Sequence, residues 1–397
     1  MINMKNKKLW EVLIPVILAV VVVSGFAISG HITKNLDGEM PTAQTTSETT
    51  TEPSTTALSK VTLVAVGDNL IHNTLIDAGE QENGSRDYTS FYENIKSDIS
   101  AADIAVINQE TMLGGSSFAY AGYPCFNTPW EVGDAAIDAG FDIFTCATNH
   151  SLDVGYAGIE QECKYFDSHP EVTHVGTNDS EEDYNSVVYY EKNGIKFAIL
   201  NYTYGTNGIS IPESKPWCVN MMDKEKITAD VNAAKQNSDV VIVFPHWGTE
   251  NSTSVSDYQR EYIKLFSELG VDIVIGTHPH VLQPVEWVEN EQTGKKMLVY
   301  YSLGNFISHQ TSLNQLCGGM AQITVEKRGE EISITSAKLT PVVCWYKSSS
   351  GKFSFSVYKL SDYTEELGSS HAQNGATPEY FEKYAKEIVS EEFLNLG

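Results

Sequence analysis

VTLVAVGDNLIH (61–72) is the stretch that decides the fold: a β-branched apolar run, a glycine, then an aspartate and a histidine. The same design recurs in IAVINQE (104–110), FDIFTCATNHSLDVG (141–155), VVIVFPHWGTE (240–250), VDIVIGTHPH (271–280) and MLVYYSLGNF (297–306). Each apolar run is short and rich in Val and Ile, so it reads as a buried strand of a largely parallel sheet rather than as helix. Each run also ends in side chains able to hold metal ions or move protons. In open α/β sheets the loops beyond the carboxyl ends of the strands meet in one crevice. The pattern therefore predicts that Asp68, His72, Asn108, Glu110, Asn149, His150, Asp153, His246, Glu250, His278, His280 and Asn305 gather in one place.

Helical periodicity fills the intervals, over Tyr88–Ser100, Pro129–Ala139, Tyr156–Ser168, Lys224–Gln236 and Asp257–Leu269. Strand alternating with helix argues for an α/β fold. Further strands are expected at Ile195–Asn201 and Val281–Val288. Beyond Phe306, Ala321–Glu326 and Glu331–Leu339 alternate apolar and polar residues around K-R-G-E, as a hairpin would. Phe353–Leu360 adds a strand, and Thr377–Leu396 reads as a terminal amphipathic helix opened by Pro378. Residues 60–310 thus read as the main domain, and 311–397 as strands and a helix completing it.

The amino terminus sets the expected location. Lys5, Lys7 and Lys8 precede an apolar segment running from Leu9 to Ser29. A helix rising about 1.5 Å per residue over such a length spans a bilayer. The lysines hold its start in the cytoplasm and send the rest outside. No A-x-A cleavage pattern follows, which favours an uncleaved anchor over a signal peptide. The expected order is a cytoplasmic tail (1–8), a transmembrane helix (9–30) and a Thr/Ser-rich disordered spacer (31–59). That makes a single-pass protein of the cell membrane with its bulk extracytoplasmic. The formal charge of -26, from 52 acidic against 26 basic residues, repels nucleic acid. The 6 cysteines show no C-x-x-C spacing, so a zinc–thiolate site is not expected.

The strand ends carry the chemistry. Asp68 projects beyond its glycine as a ligand or, on the plainer reading, caps the following helix. Asn108 and Glu110 lie on one face of an extended segment. T148-N149-H150-x-x-D153 can supply a carbonyl ligand, an imidazole acid and a carboxylate that orients it, although Asn149 and Asp153 would also suit turn caps. H246-W-G-x-E250 sets a histidine beside Trp247, read as a wall or stacking surface. H278-P-H280 is the sharpest signal, with Pro279 expected to hold His278 extended. Imidazole with carboxylate suits Zn, Mn or Fe. His169, His174 and His309 sit apart and read as surface or packing residues.

Taken together, V-x-V-G-D68, N108-x-E110-T, the segment with Tyr123, Phe126 and Pro129, and T-N-H150-S-L-D153-x-G155 resemble the CapA/PgsA family of poly-gamma-glutamate (capsule) biosynthesis proteins. H246-W-G-x-E250, G-x-H278-P-H280-V-x-Q283-P and Y-S302-L-G-N305-F extend the resemblance over about residues 60–308. It implies an α/β sandwich similar to calcineurin-like metallophosphoesterases. Asp68, Glu110, Asn149, His246, His278 and His280 would hold one or two divalent ions (Mn, Zn or Fe). His150, aided by Asp153, would be the acid, with Asn108, Trp247, Glu250, Ser302 and Asn305 lining or supporting the site. The chain departs from the pattern at Asn69, with the next histidine only at His72, and at Glu110, where that superfamily carries a bridging Asp. It departs again at Thr148 and Asn251. The implied role is the synthesis, export or attachment of poly-gamma-glutamate or a similar anionic envelope polymer, alongside membrane-embedded synthase or export subunits. The alternative is a non-catalytic scaffold or polymer-binding subunit of such a complex.

Overall fold

The computed structural model describes residues 57–397. Its strands follow the chain as β1 (Leu58–Asn69), β2 (Ile104–Asn108), β3 (Ile143–Thr145), β4 (Thr173–Val175), β5 (Val188–Lys192), β6 (Ile195–Thr203) and β7 (Val240–His246). Then come β8 (Ile273–Ile275), β9 (Val285–Glu289), β10 (Lys296–Tyr300), β11 (Asn305–Ile307), β12 (Cys317–Arg328), β13 (Glu331–Ser349) and β14 (Lys352–Lys359). One sheet has the order β14-β13-β12-β1-β2-β3-β4, with β11 pairing the end of β1; the other has β5-β6-β7-β8-β10-β9. Within them β1 to β4 are parallel, as are β6, β7, β8 and β10. The antiparallel strands flank these parallel cores, so the strand ends carrying polar residues all emerge on one side.

Period-two alternation sets the layers. Ile195, Phe197 and Ile199 of β6, Ile242 and Phe244 of β7, and Leu298 and Tyr300 of β10 enter a core shared with Val64, Val66, Val106 and Ile143 of the first sheet. The intervening Ala198, Leu200, Tyr202, Val241, Val243 and Val299 face the other way. There they meet Ile227 and Val231 of the helix Lys224–Asn237 and Tyr262, Ile263 and Phe266 of the helix Asp257–Leu269. Both faces of the second sheet are therefore buried, which is why its strands read as unbroken apolar runs. The helix Asp257–Leu269 starts at a Ser256–Gln259 capping box and stops at Gly270, whose φ of 82° suits glycine.

The α/β class and the principal helices agree with the sequence, the helices being Trp130–Ala139, Tyr156–Asp167, Lys224–Asn237 and Asp257–Leu269. Four local expectations need correction. Tyr88–Ser100 is a 3₁₀ turn, Thr89–Phe91, and a short helix, Lys96–Ser100, because Tyr88 and Tyr92 turn inward to donate hydroxyls to Ile76 O and Asn69 Oδ1. The strand expected from Val281 begins at Val285, since Leu282 N donates to the Tyr384 hydroxyl and Pro284 has no N–H to give. The terminal helix covers only Pro378–Ile388; beyond it the chain turns at 391–393, and Phe393 O and Asn395 N bond the Leu339 main chain. Leu58 and Ser59, read as spacer, already pair with Arg328 and Lys327.

The expected tail, anchor and most of the spacer lie outside the described residues. Among the described residues no helix is long and apolar enough to cross a membrane.

Candidate metal centre

The site forms where the carboxyl ends of β1, β2 and β3 in one sheet face those of β7 and β8 in the other. Gly67 lets β1 approach β11 closely, because a Cβ there would overlap the Gly304 carbonyl. Asp68 is thereby set opposite Asn305, with its N–H on Gly304 O at 2.9 Å. Its carboxylate caps no helix. Oδ1 accepts from Asn108 Nδ2 at 2.9 Å and from His278 N at 3.3 Å, while Oδ2 lies 3.0 Å from His280 Nδ1.

Around His280 Nδ1 three oxygens converge: Asp68 Oδ2 at 3.0 Å, Asn305 Oδ1 at 3.1 Å and Glu110 Oε2 at 3.7 Å. One N–H cannot serve three acceptors well, whereas a cation can. Glu110 supplies the second half of the argument. It is 1% exposed, and neither carboxylate oxygen has a hydrogen-bond partner. Oε2 faces His280, while Oε1 lies 3.8 Å from His246 Nε2. That imidazole is fixed by Asn149 Oδ1 at 2.9 Å and by Thr277 Oγ1, 3.0 Å from its Nδ1. His278 Nδ1 is likewise buried without a partner. Ligand atoms of Glu110, His278 and His280 all lie within 4.8 Å of one another.

Buried polar atoms left unpaired by other protein groups are costly, so a cluster of them at strand ends fits a cation-binding role. The donor set of imidazole, carboxylate and amide oxygen suits a borderline transition-metal ion. The electrostatics agree. Burial lifts the Glu110 carboxyl well above its ordinary range; His280 opposes the shift, and Asp68 and Glu250 reinforce it. Burial works against charge on His280, yet Glu110 and Asp68 push its pKa up to about 9. His278 falls to about 3 and His246 well below its usual value, through burial first and neighbouring imidazoles second. His278 and His246 are thus held in the neutral form in which histidine ligates metal.

A second constellation adjoins the first. His150 Nδ1 sits 2.7 Å from Asp153 Oδ2, which also accepts from Phe126 N at 2.7 Å. The Phe126 ring stands edge-on to His150, with centroids 4.6 Å apart. With Nδ1–H given to Asp153, Nε2 is the nitrogen left for proton exchange.

Other expected residues take different places. His278 is not extended: its φ is 97° and that of His280 is 61°, so H-P-H forms a tight turn instead of alternating along a strand. Main-chain bonds from Thr277 N to Pro245 O and from Asn251 N to Pro279 O hold that turn. Trp247 is no wall; it is fully buried against Phe266 and Tyr301, with its indole N–H on Tyr301 O. The strand alternation that aims His246 at the site aims Trp247 at the helices. Ser302 braces the H-P-H loop by donating to Val281 O at 2.8 Å. Glu250 is exposed at the rim. His72 heads the helix Asn73–Ala78 and accepts from His309 N; its ring stands edge-on to Phe126 at 5.5 Å, on the flank of the His150 pair and close enough to feel His280 and His150 electrostatically. Sequence reasoning passed over Thr277, Tyr204 and Asn207, though T-N-G at 206–208 is a turn signal next to a strand end.

Comparison with known proteins follows the same lines. The profile of the family described as bacterial capsule synthesis protein PGA_cap matches residues 62–310. The PGA biosynthesis protein CapA of Bacillus subtilis (strain 168) is 30% identical over 194 residues, 48% of this chain and 49% of that one. The capsule biosynthesis protein CapA of Bacillus anthracis is 31% identical over 184 residues, 45% and 43% of the two chains. The chain thus spans about half the length of the curated relatives it matches. Among solved structures, the calcineurin-like phosphoesterase YfkN from Bacillus subtilis aligns with a TM-score of 0.41 at 14% identity, covering 83% of this chain and 98% of that one. With more than half its length inside the family's profile, and with that profile ending where the site's last strand does, the chain belongs to the bacterial capsule synthesis (CapA-type) family.

Proposed function

We propose that this is a membrane-anchored, extracytoplasmic CapA-type protein that uses a metal-dependent hydrolase site on an anionic envelope polymer such as poly-gamma-glutamate. It would act beside membrane-embedded synthase or export subunits. The observation that carries the reading is Glu110, whose two buried, unpartnered oxygens each face a different histidine, next to a His150–Asp153 pair. Family membership supports the polymer, and the lysine-flanked apolar segment 9–30 supports the anchor.

Asp68, Glu110, Asn149, His246, His278 and His280 would hold one or two ions of Mn, Zn or Fe. Such an ion supplies Lewis-acid chemistry when bound. The chain's own residues do the rest. Asn108 and Asn305 hold Asp68 and His280 in register. Asp153 orients His150, so that Nε2 can deliver a proton to the leaving atom.

The test is metal analysis of the full-length protein in detergent, with hydrolysis assays on phosphoester and gamma-glutamyl substrates. A purified protein that takes up no divalent ion would refute the reading.

A further inference from the structure

One loop touches both halves of the site, and neither the family's polymer nor the metal reading gives it a task. It runs from Thr203, at the end of β6, to Ile209. Tyr204 N donates to His246 O at 3.0 Å, and its ring lies on His278 with centroids 4.6 Å apart. Three residues on, Asn207 Oδ1 accepts from Asn149 Nδ2 at 3.2 Å, and the Asn207 amide stands beside His150. The loop is braced internally. Thr203 Oγ1 donates to Gly205 O, Ile209 N to Thr206 O, and Thr206 Oγ1 to Ile209 O.

Its outer side is open. A Cβ added at Gly205 or at Gly208 would meet nothing within 4 Å. Tyr204 is 39% exposed, one of four large apolar or aromatic side chains so exposed among the described residues. The ring is held against a buried histidine by a braced loop, and its hydroxyl lies at the Asn149 side chain, inside the site, where it can accept from that amide and still donate its own hydrogen. No Lys or Arg forms an ion pair with Asp68, Glu110, Asp153 or Glu250 among the described residues. Contacts to an incoming anion beyond those of a metal ion and the imidazoles therefore fall to neutral donors.

Resting on the hydrolase reading, we propose that Tyr204 and Asn207 form the oxyanion-positioning part of the site. The phenol and the amide each donate a hydrogen bond to oxygens of a tetrahedral group, phosphate-like in charge and shape, seated between the histidine cluster and His150. The ligand class is an oxyanion ester.

The experiment uses full-length protein loaded with manganese and titrated calorimetrically with inorganic phosphate, after manganese affinity has been measured without phosphate. Tyr204→Phe keeps the ring on His278 and removes only the hydroxyl. It should leave manganese affinity unchanged and weaken phosphate about tenfold, the loss of one hydrogen bond to a charged group. Asn207→Ala should also weaken phosphate with manganese affinity intact, and Tyr204→Leu provides a check that ring loss adds no larger metal effect. Phosphate binding unchanged in Tyr204→Phe and Asn207→Ala overturns the proposal. Manganese and phosphate affinities falling together in Tyr204→Phe also overturns it, because Tyr204 is then a cover for His278. Wild-type protein that binds manganese but no phosphate refutes this inference alone. Wild-type protein that binds no divalent ion refutes the hydrolase reading beneath it.

Discussion

Two glutamates of this chain are equally buried, each 1% exposed, yet they should respond oppositely to the same substitution. Glu162 has both oxygens satisfied, by Leu113 N at 3.1 Å and Thr177 Oγ1 at 2.8 Å. Glu110 has neither oxygen satisfied. Replacement by Met preserves length and removes the charge. At Glu162 this strands the Leu113 N–H and costs about 1–3 kcal/mol. At Glu110 it removes two unpaired buried acceptors, offset by a lost attraction to His280, which keeps Asp68 at 3.0 Å. The net result in chelator should be a gain of about 1–2 kcal/mol. In a domain of this size each kcal/mol moves Tm by roughly 1–2 °C. Added metal reverses the order: at about 100 times its Kd it stabilises wild type by about 2.7 kcal/mol and Glu110→Met not at all. Thermal denaturation of wild type and both variants, with chelator and with manganese, reads these shifts. If Glu110→Met lowers Tm in chelator as much as Glu162→Met does, Glu110 is an ordinary structural acid and the metal argument collapses.

His278→Ala and His280→Ala should each lower bound metal, measured by atomic emission, and abolish most of the metal-induced rise in Tm; full metal content in both would contradict their assignment. His150→Ala should keep metal and Tm while turnover of a phosphoester or gamma-glutamyl substrate drops about 10²–10⁴-fold, and polymer production in cells that survives this change would favour the scaffold alternative. Burial lifts the Glu162 pKa from 4.5 to about 7 against its two hydrogen bonds, so the folded chain binds that proton more tightly than the unfolded chain. Stability should then decline as pH rises through this window, by about 3 kcal/mol at most, and level off above it. Glu162→Gln should flatten that part of the urea-denaturation profile, and an unchanged slope would exclude the group. Membrane fractions should retain the protein after a high-salt wash, and release of the chain as a soluble species would argue against an anchor at 9–30.

The parts of the fold legible in the sequence were those where one physical signal dominated. Buried parallel strands demand long apolar runs, and VVIVF or VDIVI admits little else. The helix Asp257–Leu269 was legible through its helical apolar pattern, and its bounds coincide with a capping serine and a terminal glycine. Residues within the cluster were legible because a histidine or carboxylate at the end of such a run has few structural uses. What failed was geometry set by tertiary partners. Nothing local in H-P-H shows that His278 and His280 take positive φ; main-chain bonds from distant loops hold the turn. Trp247 looked accessible because alternation was not carried one residue past His246. The Tyr204–Asn207 loop stayed hidden because it holds no titratable cluster and owes its position to β6 lying beside β7.

The ligand set is drawn from two sheets, Asp68, Glu110 and Asn149 from one, and His246, His278 and His280 from the other. Neither sheet can open locally without dismantling the site. An occupant therefore adds its binding free energy to every sub-global opening that separates the layers, and leaves unchanged those confined to the far hairpin of β12 and β13 around Gly329. In hydrogen-exchange terms, amides of β2 and of β7 should gain protection together and by the same increment. The site thus behaves as a rivet, making two cooperative units exchange as one.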